Sequence, residues 1–218
     1  MQIAIDGPAG AGKSTIAKRL ARTLKAIYVD TGAMYRALTW KALQNRIDLE
    51  DEAALEKLAQ ATKITFREGE ETQRVICDGQ EITAEIRTPE VTAAVPTVAR
   101  HPKVRHVMVA LQQALAQEND VIMDGRDIGE KVLPQADFKF FITASPEERA
   151  ARRMKEWEEK TPGISFEQVL QEIKERDAQD AARSEGALKI LPDSIVVDTT
   201  RLTIDEVTAE MMNRIGGK

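Results

Sequence analysis

The sequence predicts an α/β protein, with a five-stranded parallel sheet covered by helices on both faces and a small antiparallel β insert. Three observations predict it. Apolar runs of five or six residues alternate with amphipathic helical stretches over most of the 218 residues. A glycine-rich segment joins the first such run to the first helical stretch. After Lys63 the pattern changes to that of short paired strands, then changes back.

Residues 2–6 read as a short buried strand. Over 13–25, Ile16, Ala17, Leu20, Ala21 and Leu24 fall at spacings of three and four, which makes one apolar helix face. A second strand is expected over 26–30, a second helix over 33–44 and a third over 51–61. Residues 64–66, 74–77 and 80–82 read as three antiparallel strands, with Asp78-Gly79 as a hairpin turn. Thr88-Pro89 opens a helix with a cap and then proline at the first turn, and Pro96 and Pro102 should break this helical stretch into pieces.

A helix over 103–117 then leads into a strand over 120–124 that ends in a carboxylate. Another strand covers 138–143, and Ser145 with Glu148 forms a capping box for a helix to about residue 160. A loop at 161–163 precedes a helix capped by Ser165 and Gln168, which runs to about 183. The last strand covers 194–198, and Thr203 with Glu206 caps the last helix. Right-handed crossovers between the strands at 2–6, 26–30, 120–124, 138–143 and 194–198 make the sheet parallel.

Composition excludes several function classes. The net charge of −5 argues against a general nucleic-acid or anionic-membrane binder. One cysteine, Cys77, makes no intrachain disulfide, which fits a reducing compartment. With His101 and His106 it is too little for a structural zinc site. No apolar run approaches the ~20 residues of a membrane span. A soluble, cytoplasmic protein is expected.

Gly7, Pro8, Ala9, Gly10, Ala11, Gly12, Lys13 and Ser14, with Thr15 next, match G-x-x-x-x-G-K-[ST] in the right setting, after a strand and before a helix. The backbone N–H groups of such a loop wrap a phosphate, and the helix N-terminus adds favourable partial charge. Lys13 is expected to reach the transferable phosphate and Ser14 to ligate Mg²⁺. This motif points to a nucleoside triphosphate and says little about the acceptor.

Arginines gather where strands would feed the same sheet edge. Thr31, Tyr35 and Arg36 come after the second strand, and Asp124, Arg126 and Asp127 end the third. Open parallel sheets bind ligands at the carboxyl ends of their strands, so Arg36 and Arg126 are expected to share one crevice with the phosphate loop. Arg149, Arg152 and Arg153 share a helix, as do Arg176, Asp180 and Arg183. Each set reads either as a phosphate cage or as plain ion pairing, the first with Glu147 and Glu148, the second within its own helix.

Asp6 to Thr15, Asp30 to Arg36, Asp124 to Gly129, Ser145 to Arg153, Glu85 to Val91 and Ile173 to Asp177 together resemble the bacterial cytidylate kinases, among the P-loop nucleoside monophosphate kinases. The resemblance runs through the whole chain. It implies transfer of the ATP γ-phosphate, with Mg²⁺, to CMP or dCMP by a monomer. It also implies a core over 1–57 and 98–218, a monophosphate-binding insert over 58–97 and a lid over 150–164. By resemblance, Thr31, Tyr35, Arg36, Arg126, Arg176, Asp180 and Arg183 hold the monophosphate and sugar. Arg105 and Asp127 read the cytosine edge, and Lys13 with Arg149, Arg152 and Arg153 offsets charge on the transferred group. Relatives often carry a small hydroxyl residue near the base where this chain has Pro96, with Thr97 next to it.

Two other functions stay open at this point. One is a P-loop kinase of another acceptor (UMP, AMP or a metabolite alcohol), for which Asp124 or Asp6 could serve as the catalytic carboxylate. The other is a nucleotide-dependent switch.

Overall fold

The computed structural model describes residues 1–67, 69, 73–117, 119–157 and 164–217. The chain divides into two units, residues 1–28 with 118–218 and residues 29–117. The second unit is wider than the 58–97 insert read from the sequence, because helices on either side of the small sheet pack with it.

The first unit is built on strands β1 (Gln2–Asp6), β6 (Val121–Gly125), β7 (Phe138–Thr143) and β8 (Ile195–Asp198), with the start of β2 (Ile27–Asp30), whose last two residues fall in the second unit. They form one sheet in the order β2-β6-β1-β7-β8, and β1 pairs in parallel with β6 and β7. The order places β1, with its glycine-rich exit, at the centre. Asp6 stands opposite Gly125 and Ile5 opposite Asp124, so the two loops leaving β1 and β6 emerge side by side. Helices α1 (Lys13–Leu24), α6 (Pro146–Trp157), α7 (Phe166–Ala181) and α8 (Ile204–Gly216) complete the unit. Ile3, Ile5, Ile16, Leu20, Ile122, Phe140, Ile142, Val197 and Met211 make its core. The helix face predicted for 13–25 is thus buried, and burial of this kind contributes about 2 kcal/mol per large side chain.

The second unit holds the three-stranded antiparallel sheet of β3 (Ile64–Arg67), β4 (Arg74–Cys77) and β5 (Gln80–Glu81). Asp78 and Gly79, at φ 50° and 87°, turn β4 into β5. Around it lie α2 (Thr31–Gln44), α3 (Glu52–Gln60), α4 (Pro89–Ala99) and α5 (Pro102–Gln117). Ala33 and Ala37 of α2 pack on Val75, Cys77, Ile82 and Ile86. Among the described residues no helix is long and apolar enough to cross a membrane.

Several details differ from expectation. Helix α2 begins at Thr31 rather than 33, because the Asp30 carboxylate accepts the Ala33 N–H at 2.9 Å and caps it. Pro96 does not break α4. The helix runs through it and buries Val91, Val95, Val98 and Ala99 on one face, which offsets the hydrogen bond that proline removes. The Ser145 box is only half formed. Ser145 Oγ accepts the Glu148 N–H at 3.2 Å, but the Ser145 N–H goes to Thr200 and the Glu148 carboxylate to Arg152. The boxes at Ser165 and Thr203 are complete. A π-helical turn over Ile128–Val132 has no counterpart in the sequence reading. The expected loop at 161–163 lies outside the described residues, as does the part of the expected lid over 158–163.

Candidate active site

The phosphate loop leaves β1 through Gly7, whose φ is 149°. A Cβ there would lie 1.9 Å from the carbonyl oxygen of Ile142 on β7, so only glycine fits. The loop ends at Gly12, which caps α1 without a side chain, and no acidic residue occupies the helix's first turn. That is the local arrangement an anion needs: N–H groups and a helix dipole with no internal carboxylate competing.

Lys13 is buried and donates from Nζ to the Pro8 carbonyl at 2.8 Å, which folds its ammonium back along the loop. Burial, and after it the Arg126 guanidinium, push this ammonium down to about 7, against the pull of Asp124, Asp6 and Asp180. Ser14 Oγ donates to Asp124 Oδ2 at 2.9 Å, and Tyr28 donates to Asp124 Oδ1 at 2.8 Å. The Ser14 and Asp124 oxygens fit Mg²⁺, a hard ion that takes few protein ligands and completes its shell with phosphate and water. Among the described residues no group of three or more His, Cys, Asp or Glu could hold a metal ion.

Asp6 at the end of β1 is 6% exposed and accepts the N–H groups of Ile128 and Gly129, both at 2.8 Å. It thereby pins the π-helical turn that comes after Arg126 and Asp127. Burial raises its carboxyl to about 6, against those two backbone bonds. Both carboxylates offered for alcohol chemistry are therefore engaged, Asp124 with Ser14 and Tyr28, Asp6 with backbone.

Arg126, Asp180 and Arg183 come together as expected. Asp180, 2% exposed, accepts from Arg126 Nε at 2.7 Å and from Arg183. Burial pushes the Asp180 carboxyl up, but the two guanidiniums outweigh it and hold it below its usual value. Asp127 is buried, and Arg176 is half-buried on α7.

The three arginines of α6 part company. Arg152 donates to Glu148 at 2.9 Å and to the hydroxyl and carbonyl of Thr199 at 3.1 and 2.7 Å, beside Gly12. The expected Glu148 pairing is thus present. Arg153 is half-buried on α6. Arg149, assigned by resemblance to the transferred group, donates to the carbonyls of Ala9 and Ala144 and to the Asp177 carboxylate.

In the second unit, the α2 and α5 residues are placed by their own neighbours. Thr31 and Tyr35 are buried, and Arg36 donates to Thr92 Oγ1 at 2.8 Å. Arg105 is buried, donates to the Ala99 carbonyl at 3.2 Å and lies 5.7 Å from the centre of the Tyr35 ring.

Three supporting residues escape the sequence reading. Tyr28 and Thr199 lack a motif, although both stand beside strand ends that feed the site. Asp177 ends the Ile173-to-Asp177 segment of the family resemblance and lies three residues before Asp180, which is signal enough to single it out.

The sequence model of the cytidylate kinase family matches residues 3–216. The protein named cytidylate kinase from Enterococcus faecalis (strain ATCC 700802 / V583) is 51% identical over 218 residues, 100% of this chain and 96% of the relative. Its namesake from Desulforamulus reducens (strain ATCC BAA-1160 / DSM 100696 / MI-1) is 53% identical over 205 residues, 94% and 92% of the two chains. Solved structures share the fold at low identity. An uncharacterized protein from Eubacterium ventriosum ATCC 27560 is 14% identical at a TM-score of 0.53, covering 100% of this chain and 99% of its own. Shikimate kinase from Bacteroides thetaiotaomicron is 13% identical at 0.50, covering 99% and 98%. These agree with the fold, and the full-length match decides the family: the chain belongs to the cytidylate kinases.

Proposed function

We propose that the protein transfers the γ-phosphoryl group of ATP to CMP or dCMP, giving CDP or dCDP and ADP. Family membership over the whole length supports this activity. The single structural observation that carries it is the phosphate loop, with Lys13 folded along it and the Ser14–Asp124 pair at its end.

The loop's N–H groups and Lys13 would bind the donor phosphates. An anionic phosphate beside Lys13 favours its charged form, which burial otherwise disfavours. Ser14 and Asp124 would hold Mg²⁺, which when bound neutralises charge on the donor phosphates. Arg126, Arg176 and Arg183 would bind the acceptor phosphate, with Asp180 orienting two of them. Thr31, Tyr35 and Arg36 would hold the acceptor's phosphate and sugar. Asp127 and Arg105 would read the cytosine edge, the carboxylate accepting from the exocyclic amine and the guanidinium donating to the ring nitrogen and O2. Arg152 and Arg153 would offset charge on the group in transit.

No general base is needed. A phosphate monoester has a second pKa near ~6 and is mostly a dianion at neutral pH, so the nucleophile is ready. The protein's task is to place two phosphates in line and exclude water, which would otherwise accept the phosphoryl group. The protein would act as a monomer in the cytosol, in keeping with its family.

ATP consumption with CMP, dCMP, UMP, AMP and no acceptor tests the proposal. Fast turnover with CMP and dCMP is expected. Preference for UMP or AMP would move the protein to another acceptor, and nucleotide binding without acceptor-dependent turnover would make it a switch.

A further inference from the structure

Arg149 is almost wholly buried, at 2% exposure, and four of its five N–H donors have protein acceptors. Nε donates to the Ala144 carbonyl at 3.0 Å, at the end of β7. Nη1 donates to the Ala9 carbonyl in the phosphate loop at 3.1 Å and to Asp177 Oδ1 at 3.0 Å. Nη2 donates to Asp177 Oδ2 at 2.5 Å, which completes a bidentate pair. A guanidinium so engaged has little left for a substrate phosphate. What it does have is a rigid planar fork joining three separate pieces of chain.

One of those pieces carries Asp177. This residue sits on α7, one position after Arg176 and one helical turn before Asp180. Asp180 in turn holds Arg126 and Arg183. The seam between α6 and α7 is apolar, made by Ala150, Val169 and Ile173 with Met154, Phe166 and Leu170. Such a seam packs the helices but does not by itself fix α7 against the loop. The Asp177–Arg149–Ala9 chain does.

From this we infer that Asp177 is a positioning residue: through Arg149 it sets the phosphate loop at Ala9 against the helix that carries Arg176, Asp180 and Arg183. The inference rests on the proposed function, since it assigns the loop to the donor and α7 to the acceptor phosphate. In-line transfer is sensitive to their separation, and a displacement of 1 Å can cost about a hundredfold in rate. Both Asp177 oxygens are taken by Arg149, and the proposed function gives Asp177 no nucleotide contact, so removing it should spare binding and cost turnover.

Asp177→Asn keeps the size but sets an amide N–H against the guanidinium. The expected result is a fall in kcat with CMP of about ten- to a hundredfold, with KM for ATP and for CMP each within about threefold of the parent. Asp177→Glu, which restores the carboxylate one methylene farther out, should recover part of kcat. Because an unpaired buried arginine also costs stability, the melting temperature is read alongside, together with the pair Arg149→Met/Asp177→Leu, which leaves no buried charge. The pair should be folded and slow. A kcat within twofold of the parent in either folded variant overturns the inference, as does a loss that falls entirely on KM. Absence of CMP-dependent turnover in the parent would instead refute the proposed function, so the two failures are distinct.

Discussion

On the proposed function, the donor loop of the first unit and the acceptor-side residues of the second are built in different ways. In the loop, eight consecutive residues supply the backbone cradle, and buried or part-buried bonds hold it: Lys13 to Pro8, Ser14 and Tyr28 to Asp124, Arg149 to Ala9. In the second unit Thr31, Tyr35 and Arg36 come from α2 and Arg105 from α5, about seventy positions later in the sequence. Their partners include a hydroxyl at Thr92, carbonyls at Ile86 and Ala99 and the face of one ring. The difference teaches where each property resides. On the proposed function, the power to move a phosphoryl group is local to one contiguous loop, whereas the choice of acceptor is spread over residues distant in sequence.

The largest expected effect tests the donor side. Lys13→Ala removes the one ammonium from the loop and should lower kcat by at least ~10²-fold with the fold intact. Steady-state kinetics and circular dichroism check it, and activity within a few-fold of the parent would break the assignment of the loop.

Asp6 gives a pH test of the same pre-organisation. Its folded pKa of about 6 lies above the ordinary 3.8, so the folded state binds this proton more tightly than the unfolded one. Its contribution to stability is full below the ordinary value and is lost as pH rises through about 6, by an amount on the order of 3 kcal/mol. Asp6→Asn cannot titrate. Denaturant unfolding of both proteins should show the parent losing stability relative to the variant between about pH 4 and about pH 7, whereas a constant difference would contradict the buried, charge-penalised carboxylate.

The smallest effect is Tyr28→Phe. It deletes one hydrogen bond to Asp124 and should cost about 1 kcal/mol of stability and a few-fold in kcat. Ser14 still holds the other carboxylate oxygen, so a loss as large as that from Lys13→Ala would mean that Tyr28 does more than orient Asp124.

The same contrast explains what is legible in the sequence. The five parallel strands, the order of helices and the phosphate loop can be read there, because each rests on contiguous periodicity or a contiguous motif. The α2 start at Thr31 escapes because Asp30, at the end of a strand, also serves as its cap. Pro96 misleads because packing of Val91, Val95 and Val98 overrides a local breaker. The π-helical turn at 128–132 is held by Asp6, 122 residues away, a bond no window along the chain can see. Spacing alone groups Arg149 with Arg152 and Arg153. Its partners Ala9 and Asp177 belong to other elements, so these contacts emerge only in three dimensions.

The division between transfer and choice is tested most directly by the ratio of kcat/KM for CMP to that for UMP, measured on the parent, Lys13→Ala and Asp127→Ala. Cytosine and uracil differ at one edge, and a site whose buried polar groups match only one of them rejects the other steeply. Asp127→Ala should lower kcat/KM for CMP by about ten- to two-hundredfold, roughly 1–3 kcal/mol, and leave UMP little changed, so the ratio collapses. Lys13→Ala should slow both substrates alike and leave the ratio at the parent's value. An unchanged ratio in Asp127→Ala, with CMP and UMP weakened equally, would contradict this division and reduce Asp127 to a partner of Arg126.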